Sequence, residues 1–116
     1  MYNRPAILIV DDDESLLTML SLSLKRAGYA TLSAGSGAEA LDILATRPID
    51  IMVTDGRMNP MDGFELSRRA KTLKPELRIA MVSAVFTMAD AGTSPIDCVF
   101  EKPLAVSSLV AWLQQR

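Results

Sequence analysis

The sequence predicts an α/β fold: a doubly wound, five-stranded parallel sheet with helices on both faces. Five short apolar segments alternate along the chain with stretches of helical spacing, a pattern typical of parallel strands joined by crossover helices. The chain has 116 residues, of which 49% are hydrophobic, enough for one domain with a substantial core. We therefore expect residues 1–116 to form a single domain without repeats or linkers.

The elements of the first half follow from apolar spacing and from residues that start or stop helices. Gly28 is a natural stop for the first helix, because glycine readily adopts the conformation that ends a helix. Ser36 and Glu39 have the spacing of a capping box and open the second helix. The predicted elements are a strand at 6–10, a helix at 14–27, a strand at 29–34, a helix at 36–46 and a strand at 49–54.

The second half continues the alternation, with one weak segment. Asp62 and Glu65 have capping-box spacing and start a third helix, which ends before Pro75. Gly92 and Pro95 leave little room for helix in the next crossover, so the fourth helix should be shortened or irregular. The predicted elements are a helix at 62–74, a strand at 78–83, the weak segment at 86–95, a strand at 97–101 and a helix at 105–115.

Polar residues stand where four of the predicted strands end. They are Asp11 and Asp12 after the first strand, Asp55 after the third, Ser83 at the end of the fourth and Lys102 after the fifth. The carboxyl ends of parallel strands lie along one edge of a sheet, so we expect these side chains to converge. If the strand order is 2-1-3-4-5, Asp11, Asp12 and Asp55 lie side by side where the order reverses, which is where open α/β sheets bind ligands.

This set of side chains suits phosphoryl chemistry. Three carboxylates in one cleft repel one another, and a hard divalent cation such as Mg²⁺ relieves the repulsion. Asp12 and Asp55 are candidate direct ligands, Asp11 binds directly or through water, and a backbone carbonyl after Asp55 is a further candidate. With its second oxygen, Asp55 can attack a phosphoryl group to give an aspartyl phosphate. Ser83 and Lys102 would bind the other phosphoryl oxygens.

Composition argues against several other functions. The net charge of −2 argues against a nucleic-acid partner, and the absence of histidine excludes His-ligand metal sites and His-based triads. The single cysteine, Cys98, excludes an internal disulfide and fits a reducing compartment. No apolar run has the length of a membrane span, and residues 1–5 lack a signal-peptide pattern. We expect a cytoplasmic protein that contacts neither nucleic acid nor membrane.

Four segments of the chain resemble the receiver domain of two-component response regulators. They are residues 7–12, 55–63, 83–84 and 102–103, and the resemblance extends over nearly the whole chain. The resemblance implies the flavodoxin-like sheet order 2-1-3-4-5, of which the chemotaxis receiver is an example. The resemblance implies a phosphoacceptor signalling domain, not a turnover enzyme, whose own catalysis is limited to its phosphorylation and dephosphorylation.

The resemblance also implies roles for individual residues. Asp55 would be the phosphoacceptor, and Asp11 and Asp12 would form the acidic Mg²⁺ pocket. The backbone carbonyl of Arg57 would complete the metal shell. Ser83 would be the switch hydroxyl.

Lys102 would contact the phosphoryl group, and its peptide bond to Pro103 would be cis, as in the family. The implied phosphodonor is a sensor histidine kinase or a histidine phosphotransfer protein. The implied recipient of the signal is a downstream effector protein or domain.

The chain departs from the family pattern at three places. Receivers usually carry proline four residues after the phosphoacceptor, whereas this chain has Asn59 there, followed by Pro60. The family's aromatic residue on the fifth strand is replaced by Val99, and Phe100 beside it should face the opposite side of the sheet. The span from Ser83 to Lys102 is shorter than usual in the family, and the fourth helix would absorb the loss. We therefore expect unusual switching and a monomer or weak dimer.

Two alternatives remain open from the sequence. A degenerate receiver that binds partners without phosphorylation is compatible with Val99 and the short fourth helix. A haloacid-dehalogenase-like phosphatase is a remote alternative, because residues 11–15 loosely fit that family's nucleophile loop. Against this alternative, it would leave Asp55 without a role, and no acidic pair follows Lys102 in the sequence.

Overall fold

The structure is a computed structural model that describes residues 5–115. Residues 1–4 and 116 lie outside the described residues. They include the two ends of the predicted domain 1–116 and most of residues 1–5, which lack a signal-peptide pattern. The strands are β1 (Ala6–Val10), β2 (Ala30–Ala34), β3 (Ile51–Asp55), β4 (Arg78–Ser83) and β5 (Cys98–Glu101). The helices are α1 (Glu14–Arg26), α2 (Gly37–Thr46), α3 (Gly63–Leu73), α4 (Met88–Ala91) and α5 (Val106–Leu113).

The strands form one parallel sheet in the order β2-β1-β3-β4-β5, which confirms the predicted fold and strand order. Val10 pairs with Thr54, and Asp55 pairs with Val82. Ser83 pairs with Glu101 at the last position of the β4–β5 ladder. This register brings the carboxyl ends of β1, β3, β4 and β5 to the same edge of the sheet.

Helices cover both faces of the sheet and enclose two apolar clusters. The cluster on the side of α1 and α5 includes Leu24 and Leu109, packed on residues of the central strands such as Ile9. The cluster on the opposite side is larger and includes Leu44 of α2 and Leu66 of α3. The two layers hold the strands rigidly, which fixes the positions of the side chains at the strand ends.

The fourth helix is short, as the sequence predicts. α4 has four residues, and it ends at Gly92, whose φ of 53° lies in the left-handed region that favours glycine. Asp90 accepts hydrogen bonds from the backbone N–H and the hydroxyl of Thr87, which closes this single turn. Among the described residues, no helix is long and apolar enough to cross a membrane.

Several predicted boundaries shift by one or two residues. The third strand was predicted to start at residue 49, but Asp50 turns its side chain to accept a hydrogen bond from the Ala6 N–H, and β3 starts after it. Asp55 is the last residue of β3 and does not lie beyond it. The last helix ends at Leu113 instead of residue 115. Val99 and Phe100 pack into opposite clusters, as predicted.

Candidate functional site

An acidic pocket lies at the carboxyl edge of the sheet, between β1 and β3. Asp11, Asp12 and Asp55 each place a carboxylate oxygen within 4.8 Å of the other two. Asp11 and Asp55 are only 8% and 9% exposed, whereas Asp12 is exposed to solvent. The three carboxylates that the sequence predicts to converge therefore do so.

The backbone around β1 orients the first carboxylate. The N–H of Asp11 donates to the carbonyl of Ala34 on the neighbouring strand, at 3.1 Å. Asp11 Oδ1 in turn accepts the N–H of Asp13 at 2.9 Å. The Asp13 side chain caps α1 by accepting the N–H groups of Ser15 and Leu16. Asp13 thus starts the helix, while Asp11 keeps Oδ2 directed to the pocket.

Lys102 supplies the cation of the site. Its Nζ lies 3.1 Å from Asp55 Oδ1 and 3.7 Å from Asp11 Oδ2. Its backbone N–H donates to the carbonyl of Ser83 at 3.1 Å, so the ends of β4 and β5 are tied together. The Lys102–Pro103 peptide bond is cis, as the resemblance implied, and the Asn59–Pro60 bond is cis as well.

The charges in the pocket shift two pKa values. Burial raises the pKa of the Asp11 carboxyl, and the nearby Asp55 and Asp12 raise it further, against the opposing effects of the Asp13 N–H and Lys102. Burial alone would lower the pKa of Lys102, but its contacts with Asp55 and Asp11 outweigh that effect and raise it. Burial and the neighbouring carboxylates thus favour the protonated form of Asp11, whereas the same carboxylates favour the charged form of Lys102.

Ser83 lies at the edge of the site with its side chain buried, 2% exposed. Its Oγ accepts two backbone hydrogen bonds, from the N–H of Val85 at 3.1 Å and from that of Phe86 at 3.0 Å. In this state the hydroxyl organises the loop after β4. The side chain of Arg57 is exposed and forms no ion pair among the described residues.

Two glycines allow the loop and helix near Asp55 to approach closely. A Cβ added to Gly63 would lie too close to the carbonyl oxygen of Asp55 for the two to coexist. A Cβ added to Gly56 would lie 2.9 Å from Cδ2 of Phe86. Gly56 and Phe86 are not among the site residues predicted from the sequence. Two features of the sequence could have indicated their place near the site. They are a glycine directly after a buried strand and an aromatic residue three positions after Ser83.

A cavity of about 450 Å³ adjoins the site between α1 and the loop before α5. Its walls are mostly apolar, and Asp11, Asp55 and Lys102 lie at its polar end. It lies on the α1–α5 side of the sheet.

The fold and the site define a doubly wound α/β domain with an acidic pocket and a lysine at the carboxyl ends of its strands. The family model for the response regulator receiver domain matches residues 7–114. The chain belongs to this family, the receiver domains of two-component response regulators, which are signalling domains and bind Mg²⁺ at an acidic aspartate cluster.

Similar proteins agree with this assignment. The response regulator receiver protein CpdR of Brucella abortus is 34% identical over 107 residues, which cover 90% of this chain and 89% of CpdR. The transcriptional regulatory protein GlrR of Escherichia coli is 36% identical over 101 residues, or 86% of this chain, but the match spans only 23% of GlrR.

A solved structure of a response regulator protein from Burkholderia pseudomallei, with a phosphorylated aspartic acid, a calcium ion and citrate, is also similar. It is 27% identical to this chain, with a TM-score of 0.87. The match covers 96% of this chain and 67% of that chain.

Proposed function

We propose that this chain accepts a phosphoryl group on Asp55 in a Mg²⁺-dependent reaction and signals through the resulting conformational change. One observation carries the proposal: three carboxylates lie within 4.8 Å of one another, and Lys102 contacts one of them, Asp55, at 3.1 Å. A phosphoacceptor carboxylate needs neighbours that balance the charge of the incoming phosphoryl group. The pocket provides a cation and a set of metal ligands around the carboxylate of Asp55.

The donor atoms of the pocket fit Mg²⁺. This cation prefers oxygen ligands and is commonly held by one or two carboxylates together with water and phosphate oxygens. Asp11, Asp12 and Asp55 would hold it, with the backbone carbonyl of Arg57 as a further ligand. When bound, Mg²⁺ neutralises the carboxylates and the phosphoryl oxygens.

Three residues of the chain have distinct roles in the proposed phosphoryl transfer. A free oxygen of Asp55 attacks the phosphorus atom, an O–P bond forms, and the bond from phosphorus to the donor breaks, with its electron pair leaving on the donor. Lys102 Nζ, now shared between Asp55 and Asp11, balances the charge of the phosphoryl oxygens. Ser83 holds an O–H that can donate to one of those oxygens, because its hydroxyl is used only as an acceptor in the hydrogen bonds described above.

The proposed phosphodonor is a phosphohistidine on a sensor histidine kinase or a histidine phosphotransfer protein, and the proposed recipient of the signal is an effector protein or domain. GlrR is named as a transcriptional regulatory protein, and most of its length lies outside the match, which supports an effector in such relatives. The phosphorylated aspartic acid and calcium ion of the Burkholderia pseudomallei structure support a phosphorylated, metal-bound state for this fold.

A degenerate receiver that acts without phosphorylation is the second candidate, and the four-residue α4 together with Val99 favours it. The acidic pocket favours phosphorylation, because three crowded carboxylates are costly in a domain that binds no cation. Membership of the receiver-domain family excludes the haloacid-dehalogenase-like phosphatase.

The test is incubation with acetyl phosphate and Mg²⁺, followed by intact-mass measurement. We expect one added phosphoryl group in the parent protein and none in Asp55→Asn. Asp42→Asn is the matched control, because Asp42 lies in α2 away from the pocket, and it should be labelled like the parent. Labelling of Asp55→Asn to the parent level would refute the assignment of Asp55. An unlabelled parent would favour the degenerate receiver.

A further inference from the structure

Two backbone N–H groups at the start of the loop after β4 donate to one buried oxygen. Ser83 Oγ accepts the N–H groups of both Val85 and Phe86, at 3.1 and 3.0 Å. A hydroxyl oxygen has two acceptor positions, and these two bonds use both. Val85 itself is 55% exposed, so its side chain contributes little to holding the loop.

The ring of Phe86 is the apolar anchor of the same loop. It packs edge-to-face on Phe64 of α3, with ring centroids 4.8 Å apart, and joins the cluster of that face. It also covers Gly56, the residue directly after Asp55: a Cβ there would lie 2.9 Å from Phe86 Cδ2 and 3.1 Å from Ser83 Oγ. Because Gly56 has no side chain, the Phe86 ring and the Ser83 hydroxyl can both lie close to the backbone at position 56.

We propose that Ser83 and Phe86 form one switch unit, in which Phe86 is the aromatic residue that reports phosphorylation of Asp55. This inference rests on the proposed function. When Ser83 Oγ turns to donate its proton to a phosphoryl oxygen, the N–H groups of Val85 and Phe86 lose their acceptor. The loop start is then released, and the Phe86 ring leaves its position over Gly56.

The surroundings of Phe86 allow this movement. α4 begins only two residues later and has a single turn, so little structure resists displacement of the loop. Met88, its first residue, is 48% exposed. Val99 packs against the same cluster from β5, but a β-branched aliphatic side chain has few rotamers and no ring to reposition. The change thus arises in the β4–α4 loop, next to the hydroxyl that triggers it.

The first experiment places an indole at the proposed switch. The chain has one tryptophan, so Trp112→Phe combined with Phe86→Trp leaves a single fluorophore in the loop. Beryllofluoride with Mg²⁺ serves as the phosphoryl mimic, and ¹⁹F NMR measures its binding independently. We expect a red shift of the emission and loss of protection from acrylamide, both saturating together with the bound ¹⁹F signal.

Substitution of Ser83 tests whether its hydroxyl couples ligand binding at Asp55 to movement of the side chain at position 86. In the same background, Ser83→Ala should show the red-shifted emission before any ligand is added and no response afterwards, whereas Ser83→Thr should restore the response. Bound beryllofluoride with unchanged emission in the unsubstituted-Ser83 protein would overturn the switch unit and leave the proposed function standing. Absence of a bound ¹⁹F signal in the parent would overturn both.

A second readout avoids any change at Phe86. In the unaltered protein, the amides of Val85 and Phe86 should exchange roughly fivefold faster once beryllofluoride is bound, because each loses a hydrogen bond. The amide of Lys102 donates to the Ser83 carbonyl instead of its hydroxyl and is the internal control. Exchange that stays constant or slows at Val85 and Phe86 would show that the hydroxyl donates without moving, and the inference would fail.

Discussion

Lys102 Nζ donates a hydrogen bond to Asp55 Oδ1 at 3.1 Å, across 47 residues of sequence. The ammonium group also lies 3.7 Å from Asp11, so one cation serves two nearly buried carboxylates. The resting site therefore already contains the charge that the phosphoryl group would need. The same contact makes Lys102 a stabilising element of the metal-free protein.

We expect Lys102→Ala to lower the free energy of unfolding of the metal-free protein by about 1–2 kcal/mol, because Asp55 and Asp11 lose their cationic partner. Urea denaturation in the presence of a chelator measures the change. Lys25→Ala is the control, since Lys25 is exposed at the end of α1 and should have a small effect. Stabilisation by Lys102→Ala would mean that the cost of burying the ammonium exceeds its attraction to the carboxylates.

Asp11 should make the metal-free protein less stable as the pH rises. Its pKa in the folded protein is raised above the ordinary value of 3.8, first by burial and then by Asp55. Below 3.8 the folded and unfolded chains both hold the proton, so the group contributes no difference. As the pH rises from there through the folded pKa, the unfolded chain ionises more readily, and stability is lost.

Asp11→Asn lacks this loss and can still accept the Asp13 N–H. Its stability relative to the parent should therefore increase with pH across that window. Urea denaturation of both proteins with chelator, at pH values from about 4 to 7, measures the difference. A difference that is constant with pH would contradict the raised pKa.

The site was largely predictable because topology places it. Asp11, Asp55 and Lys102 each stand at the end of an apolar run, and parallel pairing alone brings such ends together. The spacing of apolar residues was enough to predict the alternating strands and helices, whereas the sheet order followed from the resemblance to receiver domains. The short α4 followed from Gly92 and Pro95, which limit helix in that crossover.

Side-chain orientation was not predictable in the same way. The position of Ser83 followed from its strand, but its two bonds to the following loop depend on local backbone geometry that has no sequence period. Phe86 looked like part of a weak segment, and only its packing on Gly56 and Phe64 shows its place near the site. β3 starts later than predicted because the side chain of Asp50 accepts a hydrogen bond from the N–H of Ala6. Hydrophobic patterns do not reveal such side-chain hydrogen bonds to the backbone.

Mg²⁺ should raise the stability of the protein, by RT ln(1 + [L]/Kd), on the order of 1–3 kcal/mol well above Kd. Asp12→Ala should abolish the shift in Tm, because it removes one of three clustered ligands. Without metal, Asp12→Asn should be slightly more stable than the parent, since repulsion in the pocket falls. Thermal melts with Mg²⁺ and with chelator measure both effects, and a lower metal-free Tm for Asp12→Asn would argue against carboxylate crowding.

Arg57 should affect the lifetime of the phosphorylated state more than its formation. Its side chain is exposed and unpaired with any described acid, so it is free to reach the phosphoryl group or the path of the attacking water. Its backbone carbonyl is retained by any substitution. We expect Arg57→Ala to accept a phosphoryl group as the parent does but to lose it at a rate changed severalfold, measured by intact mass after removal of acetyl phosphate. Arg68→Ala, on the exposed side of α3, is the control for charge, and an unchanged rate in Arg57→Ala would place Arg57 outside the reaction.

Phosphorylation should change order in residues 84–96 more than it moves the side chain at position 99. The segment contains one helical turn, and Val99 is too compact to make the inward movement expected of an aromatic residue. Because that turn offers little helical surface, we also expect no tight dimer through the face formed by α4, β5 and α5. Sedimentation of the protein with and without beryllofluoride should show a monomer or weak dimer in both states, and peptide-level hydrogen exchange should localise the change to residues 84–96. A strong beryllofluoride-driven dimer, or a protected segment 86–95 in both states, would show that this short turn supports the usual output face of the family.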